Sequence, residues 1–260
     1  PNPDMMCNKF IKFGCFEEKW GKDFDKIATG HYATTTEIDG KVWLSTAKDP
    51  VKDQTDFLGQ ITRLQIQKLM FPIGLLMKAE VRAIAAEQKL PSAMRKDSQG
   101  ICFLGKINYN DFIERYLGKR VGKIVELETG KVLGKHNGYW FHTIGQRKGL
   151  GIAARTPLYV VSLHAGKNRV IVGSNDDLFR SGLLANELDF TDGTPPSQQF
   201  RCLAKIRYGI RVHDCTVTLD DHGRAVVKFD EPQRAITPGQ SVVFYEEDRL
   251  LGGGTIMKAL

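Results

Sequence analysis

The chain has little cysteine and no long apolar run. Its five cysteines, Cys7, Cys15, Cys102, Cys202 and Cys215, are scattered over 260 residues. They are too few for a disulfide scaffold, and they lack the C-x-x-C or Cys/His spacing that holds zinc. Such usage fits a reducing compartment. No apolar stretch is long enough to cross a bilayer, and no basic-plus-apolar secretory signal is read at the N-terminus. No G-x-G-x-x-G follows a strand signal and no Walker A motif occurs, so neither nucleotide-binding fingerprint is present and a methyltransferase is disfavoured. The glycine-rich "LGGGTI" at Leu251 to Ile256 lies late, among strand signals, and reads as a tight turn or bulge.

What is present describes an ordinary globular chain with a basic balance. Apolar residues make up 42% and charged residues 26%, with a formal net charge of +7 and a pI near 9.1. The length allows two or three compact units, and the positive charge favours a polyanionic partner.

The opening "NPDMMCNK" carries a strong helix start. Asn2 suits the cap, Pro3 the first helical position, and Asp4 the positive end of the dipole. Met6, Phe10, Phe13, Phe16 and Trp20 then recur at helical steps. The first hundred residues alternate helical and extended signals, as an α/β unit does. Asp25 to Thr36 reads as a strand entering a glycine turn, and Asp39-Gly40 as a type I′ hairpin. Asp53 to Met70 and Lys78 to Leu90 read as helices, stopped by Pro72 and Pro91. The middle holds one short helix capped by Asn108 or Asn110. Short strands follow, with "YWFHTIGQRKGLGI" read as continuing them. The last eighty or so residues are mostly strand signals, with hairpins turning near Asp220 to Gly223 and Glu246 to Asp248, a small β-barrel pattern.

Several residues carry candidate chemistry. Cys7, near a helix N-terminus, is either a thiol of lowered pKa or a small packed hydrophobe; taken alone, the stretch favours the second. Cys102 in "KDSQGICF" has a flexible Gly100 and the cations Arg95 and Lys96 nearby, a setting for a reactive thiol. Ile101 and Phe103 instead suit burial. "ATGHY" places Gly30 and His31 after a strand, where an α/β sheet binds its ligand, although taken alone the stretch favours a structural turn. Lys52, Asp53 and Gln54 stand at a helix start, where an ordinary cap is the bland alternative. Arg147 and Lys148 lie between glycines. Lys205, Arg207, Tyr208 and Arg211 set an aromatic among cations, and Gln233, Arg234 and Gln240 follow. Each patch alone reads as a solvated face; together, in one basic chain, they lean toward RNA.

In this order the motifs resemble the tRNA-specific 2-thiouridylase family. The matching pieces are "PNPDMMCNKFIKF", "IATGHYA", "KDQTDFL", "DSQGICFLG", "GKVLGKHNGYWFHTIGQRKGLGI", "LYVV", "EPQRAITPGQSVVFY" and "LGGGTI", spanning almost the whole chain. The resemblance implies an α/β ATP-pyrophosphatase-type (adenine nucleotide alpha hydrolase-like) domain over 1–106. A small central mixed domain over 107–176 and a C-terminal antiparallel β-barrel over 177–260 would follow. The family's S-G-G-x-D-S loop lies upstream of its "NPD" motif and is not found here, so the chain is expected to begin within the family's catalytic domain.

The resemblance further implies ATP, with Mg2+, as co-substrate. It implies sulfur carried as a persulfide on Cys102, with Cys7 releasing it and ending in a disulfide with its partner. Asn2, Pro3 and Asp4 would contact the target base, Asp4 also assisting proton transfer, and Gly30 would approach the nucleotide. His31, Lys52, Asp53, Gln54, Arg207, Tyr208 and Gln240 would contact tRNA. Cys15, Cys202 and Cys215 match no catalytic position and are read as structural. Implied partners are tRNA and a sulfur-relay protein or cysteine desulfurase. The implied state is a monomer without membrane attachment, in bacterial cytoplasm or, in a eukaryote, a mitochondrion or plastid. Two rivals are carried: a non-catalytic RNA-binding fragment, and a cytosolic dithiol oxidoreductase using Cys7 and Cys102.

Overall fold

A computed structural model describes residues 2–95, 107–209 and 211–260. The N-terminal helix starts as its sequence dictates, with Asn2 Oδ1 accepting from the backbone N–H groups of Asp4 at 3.0 Å and Met5 at 3.4 Å. After α1 (Pro3–Met6), however, Cys7–Cys15 winds as a π-helix before α2 (Phe16–Lys19) resumes the ordinary pitch. A π-turn reaches back five residues. Gly14 permits this, since a Cβ there would stand 2.9 Å from the Lys9 carbonyl oxygen. The wider turn breaks the expected apolar stripe. Met5, Asn8 and Phe13 turn inward, whereas Met6, Phe10, Phe16 and Trp20 are exposed.

The short β1 (Ile27–Ala28) leads to the hairpin β2 (Thr34–Ile38) and β3 (Lys41–Ser45). Its turn residues Asp39 and Gly40 have φ of 52° and 71°, the type I′ geometry the dipeptide announces. The helix expected over Asp53 to Met70 is replaced by two pieces: a 3-10 turn (Thr55–Leu58) and α3 (Arg63–Lys68). Gly59 interrupts the run, and Thr62 restarts it through a capping box with Gln65. The chain then extends as β4 (Leu69–Met70), parallel to β1. The second expected helix forms as α4 (Lys78–Glu87).

Along the chain there follow α5 (Tyr109–Leu117), capped by Asn108, and β5 (Gly122–Glu126), β6 (Val132–His136), β7 (Tyr159–His164) and β8 (Arg169–Gly173). These four strands form a sheet in the order β6-β5-β8-β7, with β5 and β8 parallel. Its core gathers Ile124, Val160, Val170 and Val172. The "YWFHTIGQRKGLGI" stretch is not strand but a 3-10 turn (Tyr139–Phe141) and irregular chain. Positive φ at Gly138, Gly145, Gly149 and Gly151 keeps it out of any ladder.

The last strands are β9 (Phe179–Phe190), β10 (Gln199–Lys205), β11 (His213–Leu219), β12 (Ala225–Arg234), β13 (Ser241–Glu246) and β14 (Arg249–Ala259). They run β13-β10-β11-β12-β9-β14, and β14 pairs back onto β13 to close a six-stranded antiparallel barrel. Closure removes the open edges that a free sheet would present. The "LGGGTI" glycines lie in β14 beside a bulge at Phe244/Tyr245, as the sequence suggested. A Cβ on Gly253 would stand 2.6 Å from the Val242 carbonyl oxygen, so the strands approach too closely for a side chain there.

Two compact units result: the described residues of 1–102, 183–231 and 238–258, and those of 103–182, 232–237 and 259–260. In the first, Phe13, Leu44, Leu58, Ile66, Tyr245 and Leu250 share one core, so helix, hairpin and barrel bury a common apolar surface.

Candidate sulfur and nucleic-acid site

Asp4 sits in the first turn of α1, and Cys7 opens the π segment half-buried, its backbone N–H donating to the Asp4 carbonyl. Carboxylate and thiol thus belong to one helical turn. The neighbouring Asn8 and Lys9 tie this turn to the rest of its unit. Asn8 Nδ2 donates to the Phe57 carbonyl at 3.0 Å, and Lys9 Nζ reaches Asp189 at 3.2 Å. Cys102 lies outside the described residues. Of the cysteines read as structural, Cys15 is exposed, while Cys202 and Cys215 are buried register partners across β10 and β11 with sulfurs 3.6 Å apart. The Cys215 sulfur and burial both push the Cys202 thiol up.

Gly30 has open space where a side chain would project, so a ligand can approach its backbone closely. His31 points inward. Its Nε2 lies 3.5 Å from Lys12 Nζ and its Nδ1 2.9 Å from Thr29 Oγ1. An ammonium only donates, so Nε2 accepts and the ring proton sits on Nδ1, shared with Thr29. Burial, then the Lys12 charge, lower the His31 pKa to about 4. His31 is therefore neutral near pH 7, and its expected contact with RNA cannot be an ion pair. Its depressed pKa also makes the folded state lose stability as pH falls from about 6.5 through 4. NMR titration of the imidazole should show one neutral tautomer from pH 8 to pH 5; a midpoint near the ordinary histidine value would refute that assignment.

The Lys52 to Gln54 segment is locked from several sides. Asp49 accepts from the backbone N–H groups of Val51 at 3.0 Å, Lys52 at 3.2 Å and Lys78 at 2.9 Å. These bonds, that from Lys78 first, hold its carboxyl below the usual range. Gln54 Oε1 accepts from Tyr32 N at 3.1 Å, while Gln54 N donates to the Tyr32 carbonyl at 2.8 Å. Asp53 is buried. Its Oδ1 accepts from Ala47 N at 3.0 Å and Thr55 Oγ1 at 2.6 Å, and its Oδ2 faces Lys205 Nζ at 3.4 Å. Lys205, read from the sequence as a cation for RNA, is 4% exposed. It is corrected to an internal partner of Asp53 and of Asp56, the latter at 3.8 Å.

Tyr208 stacks on Phe57 with ring centroids 5.2 Å apart and planes 12° apart, and its hydroxyl donates to the Val51 carbonyl at 3.4 Å. About half of the residue remains exposed. Gln240 holds the turn into β13, where its carbonyl accepts from Ile256 N at 2.8 Å.

Gly30, Lys52, Gln54 and Tyr208, far apart in sequence, line one cavity of about 450 Å³. Asn2, Pro3, Asp4, Cys7, His31, Asp53, Arg207 and Gln240 do not line it. Three cations that sequence reasoning passed over as site residues do: Lys78 and Arg82 on α4, and Arg95. For Lys78 and Arg82 the signal was their four-residue spacing, which equally suits a solvated helix face; Arg95 was read only as a cation near Cys102. In the other unit, Arg234 lies 5.2 Å over the Tyr159 ring and its Nε donates to Asn175 Oδ1 at 2.9 Å, so it is committed locally.

Three family models match in chain order. They are a tRNA methyl transferase HUP domain over residues 1–106, a tRNA methyl transferase PRC-barrel domain over 110–174, and an aminomethyltransferase beta-barrel domain over 180–256. A tRNA-specific 2-thiouridylase MnmA of Parabacteroides distasonis is 65% identical, over 99% of this chain and 74% of its own length. The chain belongs to the tRNA-specific 2-thiouridylase family. Members carrying the same name from Porphyromonas gingivalis (53% identical, 99% of this chain and 74% of theirs) and Psychromonas ingrahamii (46%, 100% and 73%) extend the likeness. The fold class follows: a HUP-type α/β part, a PRC-barrel middle and a β-barrel.

Proposed function

We propose that this chain acts as a tRNA-uridine 2-sulfurtransferase. ATP adenylates the C2 oxygen of the wobble uridine, turning a poor leaving group into AMP. The terminal sulfur of a Cys102 persulfide attacks C2, and AMP departs. The Cys7 thiolate then attacks the Cys102 sulfur, breaking the S–S bond. Its electron pair stays with the transferred sulfur as the C2 thiocarbonyl, and Cys7 and Cys102 are left as a disulfide. Thus the sulfane sulfur is reduced as the two thiols are oxidised.

The observation that carries this reading is the convergence of Gly30, Lys52, Gln54 and Tyr208 on one cation-lined cavity. A nucleotide fits the open backbone at Gly30, and RNA fits cations beside a half-exposed aromatic ring. Asn2, Pro3 and Asp4 are assigned to the target base, with Asp4 assisting proton transfer on the turn that also carries Cys7. His31, Lys52, Asp53, Gln54, Arg207, Tyr208 and Gln240 are assigned to tRNA, Asp53 by holding the loop between its neighbours. Mg2+ with the ATP, a sulfur-relay protein or cysteine desulfurase as donor, a monomeric state and a bacterial cytoplasmic setting complete the proposal. Residues 1–106, 107–176 and 177–260 are its catalytic, central and tRNA-contacting parts.

The test is chemical. After exposure to a persulfide donor and thiol blocking, peptide mass spectrometry should find added sulfur on Cys102, resolving to a Cys7–Cys102 disulfide. Sulfur spread over several cysteines, or missing from Cys102, would sink the assignment.

A further inference from the structure

We propose that Lys78 and Arg95, together with Lys52, form a phosphodiester-binding subsite that grips the RNA backbone beside Tyr208. It rests on the tRNA reading above and adds Lys78 and Arg95 to the residues assigned there. The cavity that Lys52 and Tyr208 line is also lined by Lys78, Arg82 and Arg95, and by no carboxylate among the described residues. A concave surface of one sign focuses its field on an incoming anion. Of the carboxylates nearby, Asp49 accepts from the backbone N–H groups of Val51, Lys52 and Lys78 and also attracts the Lys52 charge; Asp53 and Asp56 face Lys205; Glu80 pairs with Lys48 at 3.1 Å.

The subsite is held in place before any ligand arrives. Asp49 bonds the backbones of both Lys52 and Lys78, fixing the spacing of these two lysines. The Lys78 ammonium lies 5.5 Å from the Tyr32 ring centroid, a cation–π contact that limits its wandering. Arg82 donates to the carbonyls of Ala93 and Arg95, each at 3.1 Å, and so positions the segment that carries Arg95. Its guanidinium thus serves as a bracket for Arg95. A second observation points to a ligand. Tyr32 lines the same cavity at 6% exposure, and its buried hydroxyl has no hydrogen-bond partner among the described residues. A buried hydroxyl left unmatched is costly; a phosphate or base oxygen would satisfy it. The Tyr208 ring, backed by Phe57, supplies the flat surface on which a base stacks. Cations in concave array with an aromatic face favour RNA over a free triphosphate.

The experiment compares the chain with Lys78→Gln/Arg95→Gln and with the charge-conserving Lys78→Arg/Arg95→Lys. Affinity for labelled tRNA is measured across a salt series, and ATP affinity by equilibrium dialysis. The Gln variant should bind tRNA at least about tenfold more weakly at low salt. Its plot of log affinity against log salt should be shallower by about 1.4, the loss of two single-strand phosphate contacts. The charge-conserving variant should keep the original slope. An unchanged slope in the Gln variant overturns the subsite, even if affinity falls, because fold damage weakens binding without altering counterion release. Loss of ATP binding with an intact tRNA slope overturns it too, assigning the cations to a nucleotide. If the unsubstituted chain fails to bind tRNA, the functional reading itself has failed, an outcome distinct from equal binding by chain and variant.

Discussion

Replacing Lys205 with Met should cost about 3–5 kcal/mol of folding free energy at pH 8 and much less at pH 5. Lys205 stands between two buried carboxylates, 3.4 Å from Asp53 Oδ2 and 3.8 Å from Asp56 Oδ2. Met matches its length and apolar stem, so the change removes the charge and little else. Two carboxylates would then share a desolvated site without a cation. In the present structure burial already pushes Asp56 up to about 6, against the attraction of Lys205 and helped by repulsion from Asp53. A carboxylate with a raised folded pKa keeps a proton that the unfolded chain has released. Its penalty is absent below about pH 4, grows as pH rises, and is complete above about 6. Without Lys205 the upper end of that window moves higher, so the destabilisation is greatest where Asp56 is forced to ionise. Urea unfolding at the two pH values measures this; a loss below about 1 kcal/mol, equal at both, would mean that the cation contributes nothing specific.

The Lys205 correction shows what a sequence discloses about a basic chain. The "KIRYGIR" stretch reads as a cationic face, and for Tyr208 the aromatic stands half exposed as expected. Yet Lys205 closes β10, with Val243 as its register partner, and faces two aspartates some 150 positions earlier in the chain. Charge patterning counts cations without saying which ones another segment will claim. The same limit hid Lys78, which shares a cavity with Lys52, and left Arg95 read only as a cation near Cys102.

Features decided locally were legible. Asp39-Gly40 specified its turn, and Asn2 and Asn108 their caps, because neighbouring residues suffice to fix each of them; the alternating strands announced a barrel, whose pairings join strands distant in the chain. The π-helix was not, since an apolar stripe carries the period assumed in reading it. Met6, Phe10, Phe16 and Trp20 fit a 3.6-residue turn that the chain abandons at Cys7. Likewise Asp53 to Met70 has helical spacing, but Gly59 and the Thr62–Gln65 box break it where the barrel passes close, with Val243 methyls 3.0 Å from a Cβ built on Gly59.

Gly74→Ala should destabilise the fold by more than about 3 kcal/mol and disturb the cavity with it. The reason is steric alone, since Gly74 does not occupy the left-handed region. A Cβ at this position would overlap the Ala33 carbonyl oxygen and lie 2.8 Å from the Ala33 carbonyl carbon and 2.9 Å from Thr34 Cγ2. The first two are backbone atoms that no rotamer change can move. Nor can Gly74 retreat. Its N–H donates to the Phe71 carbonyl at 3.0 Å and its carbonyl accepts from Lys48 N at 2.9 Å. Ala33 is fully buried and follows Tyr32, whose backbone is bonded to Gln54. A displacement forced at Ala33 therefore passes to Tyr32 and Gln54, so tRNA affinity should fall together with stability. Gly166→Ala is the matched control. It has open space for a Cβ and no positive φ, and its effect should stay within about 0.5 kcal/mol. Equal melting temperatures for the two variants would show that the turn at Gly74 yields, and that the cavity does not depend on its close approach to Ala33.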